Sequence, residues 1–253
     1  MQPAAGLSLA FTRCNAAERI PDWNRWMVDT HVPAMAETPG VRAASHFALS
    51  VQPTPGMPSV GFSHVTLYEI AHDADLHEAA TALATREDEL RDAGELDPNH
   101  CVIETDLLEA HGRWNDKPPP SPDLTAHILA YVLCNDSRVE AEWDAWNDDV
   151  HMPDMLASEA FTGVSRWSRV DENRRRARHL TLYDVGPIGV DEAVSRSAAV
   201  MPGIVAAGRK HASHVGALTV TLVRASRAAS LAARPDAPRP GSRRPDPSGA
   251  HSA

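Results

Sequence analysis

The chain carries one segment twice. Residues 22–35 read DWNRWMVDTHVPAM and residues 142–155 read EWDAWNDDVHMPDM. At a constant offset of 120, Trp23/Trp143, Trp26/Trp146, Asp29/Asp149, His31/His151, Pro33/Pro153 and Met35/Met155 coincide. The register extends upstream through Leu9/Leu129 and Cys14/Cys134, and downstream to Ser45/Ser165. A second match, at offset 115, sets His64-Val-Thr-Leu-Tyr-Glu-Ile70 against His179-Leu-Thr-Leu-Tyr-Asp-Val185. A repeat longer than 100 residues is a duplicated domain, not a solenoid unit. A chain of 253 residues has room for two such domains, each with its own core.

Each half predicts the same order of elements. GLSLAFTRC and AHILAYVLC are apolar, partly alternating runs and read as strands. The Trp-rich segment follows as a helix. Further strands are expected at about 41–51 and 162–171, 60–70 and 178–185, and 100–111 and 214–224. Second helices are expected at about 73–93 and 190–208, stopped by Gly94 and Gly208. The order βαββαβ is ferredoxin-like. The expected division is a first unit at 1–114, a Pro-rich spacer at 115–123, a second unit at 124–225 and a disordered tail at 226–253. The spacer Lys117-Pro-Pro-Pro-Ser-Pro122 is stiff and extended. The tail is Ala, Pro, Arg and Ser, too apolar-poor to offset its ordering entropy.

Composition narrows the function. The net charge is −10, and the tail contributes five Arg against two Asp, so the body is more acidic still. An acidic surface argues against nucleic acid as a partner, because phosphate binding needs cations. No apolar run is long enough to span a bilayer. MQPAAGLSLAF lacks a cationic leader and reads as a strand. Three Cys give no disulfide framework and no CxxC pair. A cytoplasmic protein is expected. No GxGxxG or GxxxxGK[ST] follows a strand, so nucleotide binding lacks support. No His or Glu spacing on one helix face marks a metal site, so none is expected.

At 100° per residue, Trp26, Thr30, Trp23, Ala34, Met27, His31 and Met35 fill one arc of about 180°. Asp29 falls opposite. His31 and His151 therefore sit near the edge of a buried face, beside Trp and Met. Desolvation there favours the neutral imidazole, which can serve as a general base. A histidine on an apolar arc is more often a packed core residue, but it is a poor core filler beside Leu or Met. Pro33 and Pro153 cannot donate to the carbonyl four residues back, so the helix must kink or restart there. In the third strand, His64, Thr66 and Tyr68 share one face, as do His179, Thr181 and Tyr183. The apolar face is expected under the helices, and the polar face in the space enclosed by the two sheets, as a ligand-binding wall.

The W-x-x-W-x-x-D-x-H-x-P-x-M segment, with the aromatic strand after it, resembles the dimeric α/β-barrel superfamily, and most of all its EthD-like members. The resemblance covers about residues 6–112 and 125–225. It implies an α+β fold in which two tandem ferredoxin-like units form one intramolecular, pseudo-dimeric barrel, as a monomer or a homodimer. It also implies a ligand held between sheet and helices. The second copy departs from the pattern where Ser158-Glu-Ala-Phe161 replaces Thr38-Pro-Gly-Val41. The expected function is a small-molecule enzyme without redox cofactor. It would catalyse cyclisation, isomerisation or elimination of an apolar aromatic or polyketide-like substrate. His31 or His151 is the expected base, and Trp26 or Trp146 the pocket wall. His64/Tyr68 or His179/Tyr183 would bind the oxyanion. A cofactor-free monooxygenase and a non-catalytic ligand or haem binder are the alternatives.

Overall fold

The run GLSLAFTRC forms strand β1 (Gly6–Cys14) and is buried along most of its length, because it has a packed layer on each side. Leu7, Leu9 and Phe11 point to one side; Ala10 joins the helices on the other. The computed structural model describes residues 4–51, 60–112, 124–170 and 177–229. The first half continues with α1 (Ile20–Trp26), a π turn (Met27–His31), α2 (Val32–Ala36), β2 (Val41–Val51), β3 (His64–Ile70), α3 (Leu76–Asp92) and β4 (His100–Ala110). The second half repeats this order. It comprises β5 (Ala126–Cys134), α4 (Glu140–Trp146), a π turn (Asn147–His151), α5 (Met152–Ala157), β6 (Gly163–Arg169), β7 (His179–Val185), α6 (Val190–Ala206) and β8 (His214–Ala229).

The eight strands close one antiparallel barrel in the order β1-β3-β2-β8-β5-β7-β6-β4. Each half supplies a ferredoxin-like sheet, β4-β1-β3-β2 and β8-β5-β7-β6. Seams β2–β8 and β4–β6 join them, so one chain supplies both halves of the barrel. The α+β architecture of two tandem ferredoxin-like units is thus present. Strand β8 runs to Ala229, past the boundary expected at 225, because β2 pairs with it as far as Ala43↔Ala229. The rest of the expected tail and the Pro-rich spacer lie outside the described residues. Among the described residues no helix is long and apolar enough to cross a membrane.

One expectation is reversed. Val65 and Leu67 point into the barrel lumen with Leu9, Phe47, Leu129 and Leu180. Tyr68 instead packs with Trp23, Met27 and Val32 beneath the helices, and His64 lies against Trp23. The second half agrees: Leu180 and Leu182 face the lumen, and Tyr183 faces the helices. All seven residues of β3 are buried. Alternation separates its faces but does not say which layer each one meets. The helix layer carries the polar partners, so the polar face turns towards it.

The proline break takes the form of a π turn. The Val32 N–H donates to Met27 O, and the Met152 N–H to Asn147 O. The wider turn accommodates a residue that cannot donate, and such turns recur at functional sites. It also adds a residue to the turn, which rotates the later side chains about the helix axis. Thr30, expected in the buried arc, is exposed, whereas His31 is only 2% exposed and Val32 is buried. Where the second copy lacks Pro-Gly, Glu159 takes a left-handed φ of 56° that Gly40 adopts in the first copy at 83°. Such a conformation costs a non-glycine residue about 1–3 kcal/mol.

Candidate active site

The space between helices and sheet in the first half is filled by aromatic and imidazole rings. His31, at the end of its π turn, stacks on Trp26 at 4.8 Å and lies 4.9 Å from His100, the first residue of β4. The Glu87 carboxylate, on α3, reaches both: His31 Nε2 at 3.4 Å and His100 Nε2 at 3.4 Å. Trp26 Nε1 donates to Glu95 O at 3.2 Å. Trp23 separates this group from a second one, where His64 lies 4.8 Å from Trp23 and stacks on His46 at 5.1 Å. His46 Nδ1 and Thr66 Oγ1 are 2.9 Å apart. Burial lowers His31 and His64 to about 4 and His46 to about 3. At neutral pH these imidazoles are uncharged.

The second half keeps the frame and changes the chemistry. His151 stacks on Trp146 at 5.0 Å, and His214, the first residue of β8, lies 5.4 Å away. Trp146 Nε1 donates to Arg209 O at 2.7 Å, the counterpart of the Trp26 bond to Glu95. The residue matching Glu87 is Met201, so no carboxylate bridges the two histidines. His151 Nε2 meets the Tyr183 hydroxyl at 3.2 Å. Desolvation lowers His151 and His214 to about 4 and pushes the Tyr183 phenol above its ordinary value. The residue matching His46 is Arg166, fully buried, with Nη1 2.6 Å from Asp148 Oδ1 and Nη2 2.6 Å from Asp144 Oδ1. His111 Nε2 also meets Asp144 Oδ1, at 2.9 Å. His179 Nδ1 contacts Ser168 Oγ at 3.1 Å, and its Nε2 contacts Glu140 Oε1 at 3.3 Å.

The sequence-derived sites are therefore assembled in part. His31 and Trp26 come together, as do His151, Trp146 and Tyr183. His64 and His179 lie instead against Trp23 and Trp143, at 4.8 and 4.9 Å. Sequence reasoning missed His100, His214, Glu87 and Arg166. Two cavities lie elsewhere. One of about 520 Å³ runs along α3 beside Thr38, His77 and Arg86; one of about 240 Å³ opens at the barrel mouth beside Phe11, Asp106, Tyr131 and Arg169. The four histidines beside Trp26 and Trp146 do not fit a haem. An axial histidine needs an open face for the porphyrin. His31 and His151 are stacked on Trp26 and Trp146, and His100 and His214 pack edge-on or tilted against the same indoles at 5.3 and 5.1 Å.

No protein-family profile and no curated protein sequence matches the chain. Solved structures do match it in fold. A haem complex of a DypB variant from Rhodococcus jostii aligns over 90% of this chain and 94% of its own, at 9% identity and a TM-score of 0.54. A protein described as a chlorite dismutase aligns over 87% and 93%, at 13% identity and a TM-score of 0.52. One from Fusobacterium nucleatum described as a monooxygenase aligns over 89% and 95%, at 12% identity and 0.51. The fold is that of the dimeric α/β barrels. At such identities the likeness concerns the fold and carries no activity with it.

Proposed function

We propose that the protein is a small-molecule enzyme that moves protons without a redox cofactor, and that its second half holds the working site. The observation that carries this reading is the pair of the half-buried His151, through Nε2, and the buried Tyr183, through Oη, 3.2 Å apart beside the half-buried Trp146. His31 is closed off by Trp26, Glu87 and His100, whereas His151 is only half-buried. A carbonyl inserted between the pair takes over the Tyr183 hydrogen bond and leaves His151 Nε2 free to accept a proton from the neighbouring carbon. Negative charge then grows on the carbonyl oxygen under the phenol, in a site with little water to screen it. His151 alone is a weak base, but the anion forming beside it raises its pKa during the transfer. Trp146 offers an aromatic wall, which suits an apolar aromatic or polyketide-like substrate. Aldol-type cyclisation, keto–enol isomerisation and β-elimination next to a carbonyl all begin with such a proton transfer. The His-x-Pro pattern at His31/Pro33 and His151/Pro153 supports the finer likeness to EthD-like proteins.

The test is deuterium exchange at the α-carbon of a panel of aromatic ketones and 1,3-diketones, followed by NMR. The wild-type chain is expected to accelerate exchange, and His151→Ala to lose about 10²–10⁴-fold of that acceleration. If His151→Ala stays folded and keeps the full rate, the mechanism is wrong. Cofactor-free oxygenation is the second reading, supported by the fold shared with a described monooxygenase and by the need of that chemistry for a deprotonated, electron-rich substrate. Product formation that stops without dioxygen selects it.

A further inference from the structure

Three residues from three separate elements converge in the first half: His31 from the π turn, Glu87 from α3 and His100 from β4. Their ligand atoms all lie within 4.8 Å of one another. Both histidine Nε2 atoms stand 3.4 Å from a Glu87 oxygen, one from each. Four donors about 2.0–2.1 Å from a tetrahedral zinc stand roughly 3.3–3.4 Å apart, so the spacing suits a shared ion. As hydrogen bonds these contacts are poor. His100 Nε2 and Glu87 Oε1 are buried and have no partner closer than this 3.4 Å contact with each other. Leaving such groups unsatisfied is costly, and an ion is one of the few explanations of it.

We propose that His31, Glu87 and His100 bind one divalent transition-metal ion, with two imidazoles and a carboxylate as the protein ligands and a further position open. The set suits zinc with a fourth position open, and it is equally the donor set of non-haem iron(II). The electrostatics agree. Desolvation keeps His31 neutral, as a ligand must be. Desolvation also pushes Glu87 up, but His100, His31 and Arg91 together hold it below its ordinary value, so it is ionised. The Glu87 side chain is 14% exposed and gives the ion a way in.

The second half supplies an internal contrast. His151 and His214 keep their places, but Met201 stands where Glu87 does, so the third ligand is missing. Another cluster, His111 from just after β4 with Asp144 and His179 of the second half, has similar spacing. Arg166 already binds Asp144 at 2.6 Å, and its positive charge opposes a cation. The metal is therefore confined to the first half, and the proposal stands apart from the His151 chemistry.

The experiment is calorimetric titration of the chelator-treated full chain with Zn²⁺. One ion per chain is expected. Glu87→Met, which installs the residue the second half uses at this place, is expected to weaken binding at least about tenfold, while His151→Ala binds as tightly as the wild type. Ni²⁺ is expected to quench Trp26 fluorescence in the wild type and not in Glu87→Met, because that indole stacks on His31. If Glu87→Met does not fold, Glu87→Gln serves, with the same weakening expected. No binding by the wild type overturns the proposal. So does equal affinity in the folded Glu87 variant, which would place the ion on other histidines.

Discussion

The Tyr183 hydroxyl lies against His151 Nε2, and burial holds its phenol above the ordinary value, so it stays a hydrogen-bond donor at any neutral pH. Removing that donor leaves the base in place and takes away the stabilisation of the oxyanion. Tyr183→Phe is expected to cut turnover about 10²–10³-fold, with little change in substrate binding. Kinetics on whichever ketone shows exchange will read this. Unchanged turnover would make Tyr183 a packing residue. His31, His151, Trp26 and Trp146 were legible because they recur in register and fall on one helical arc. His100 and His214 also recur, each as the first residue of its half's last strand, and a wider comparison of the two halves would have found them. Glu87 was hidden for a physical reason. It has no counterpart, since the second half has Met201 there, and it lies in a different element from its partners, so no local spacing announces it.

The order of elements was legible from periodicity, and the strand and helix limits agree to within a few residues. The direction each strand face takes was not. In a strand buried on both sides, period two separates the faces without assigning them to a layer. The lumen shows what the duplication did with that freedom. Register equates Leu9↔Asp106 in the first half with Leu129↔Val220 in the second, so Asp106 corresponds to Val220. Arg169 of β6 corresponds to Leu49 of β2. One side of the lumen thus carries a buried Arg169 Nη1–Asp106 Oδ1 pair at 2.7 Å, with the Tyr131 hydroxyl also donating to Asp106, where the other side is apolar. Asp106→Val alone takes a close partner from a buried guanidinium and is expected to destabilise the fold by about 3–5 kcal/mol. Asp106→Val with Arg169→Leu and Tyr131→Phe copies the other half and is expected to lie within about 1 kcal/mol of the wild type. Urea unfolding of both variants checks this. A triple variant as weak as the single one would mean that the polar group is required by the lumen rather than inherited in exchange for apolar packing.

At the scale of the whole molecule, the covalent link between halves lets each helix layer diverge while the barrel they share stays closed. Both layers keep one property, a dense set of uncharged imidazoles. His31, His64, His151, His179 and His214 are lowered to about 4 and His46 to about 3, in each case chiefly by burial. These values set the sign of the pH dependence. Between about pH 6.5 and 4 the unfolded chain holds these protons and the folded chain does not. Stability is therefore complete above pH 6.5, falls as pH drops through that window, and stops falling on this account below about 4. Each group adds a slope of up to about 1.4 kcal/mol per pH unit. Several act together, so the melting temperature is expected to hold steady from pH 9 to 7 and to collapse well before pH 4. A melting temperature that stays flat from pH 7 to 4.5 without metal would mean that the rings are solvated or paired well enough to be protonated in place. The helix layers would then be far more open to water than their packing shows.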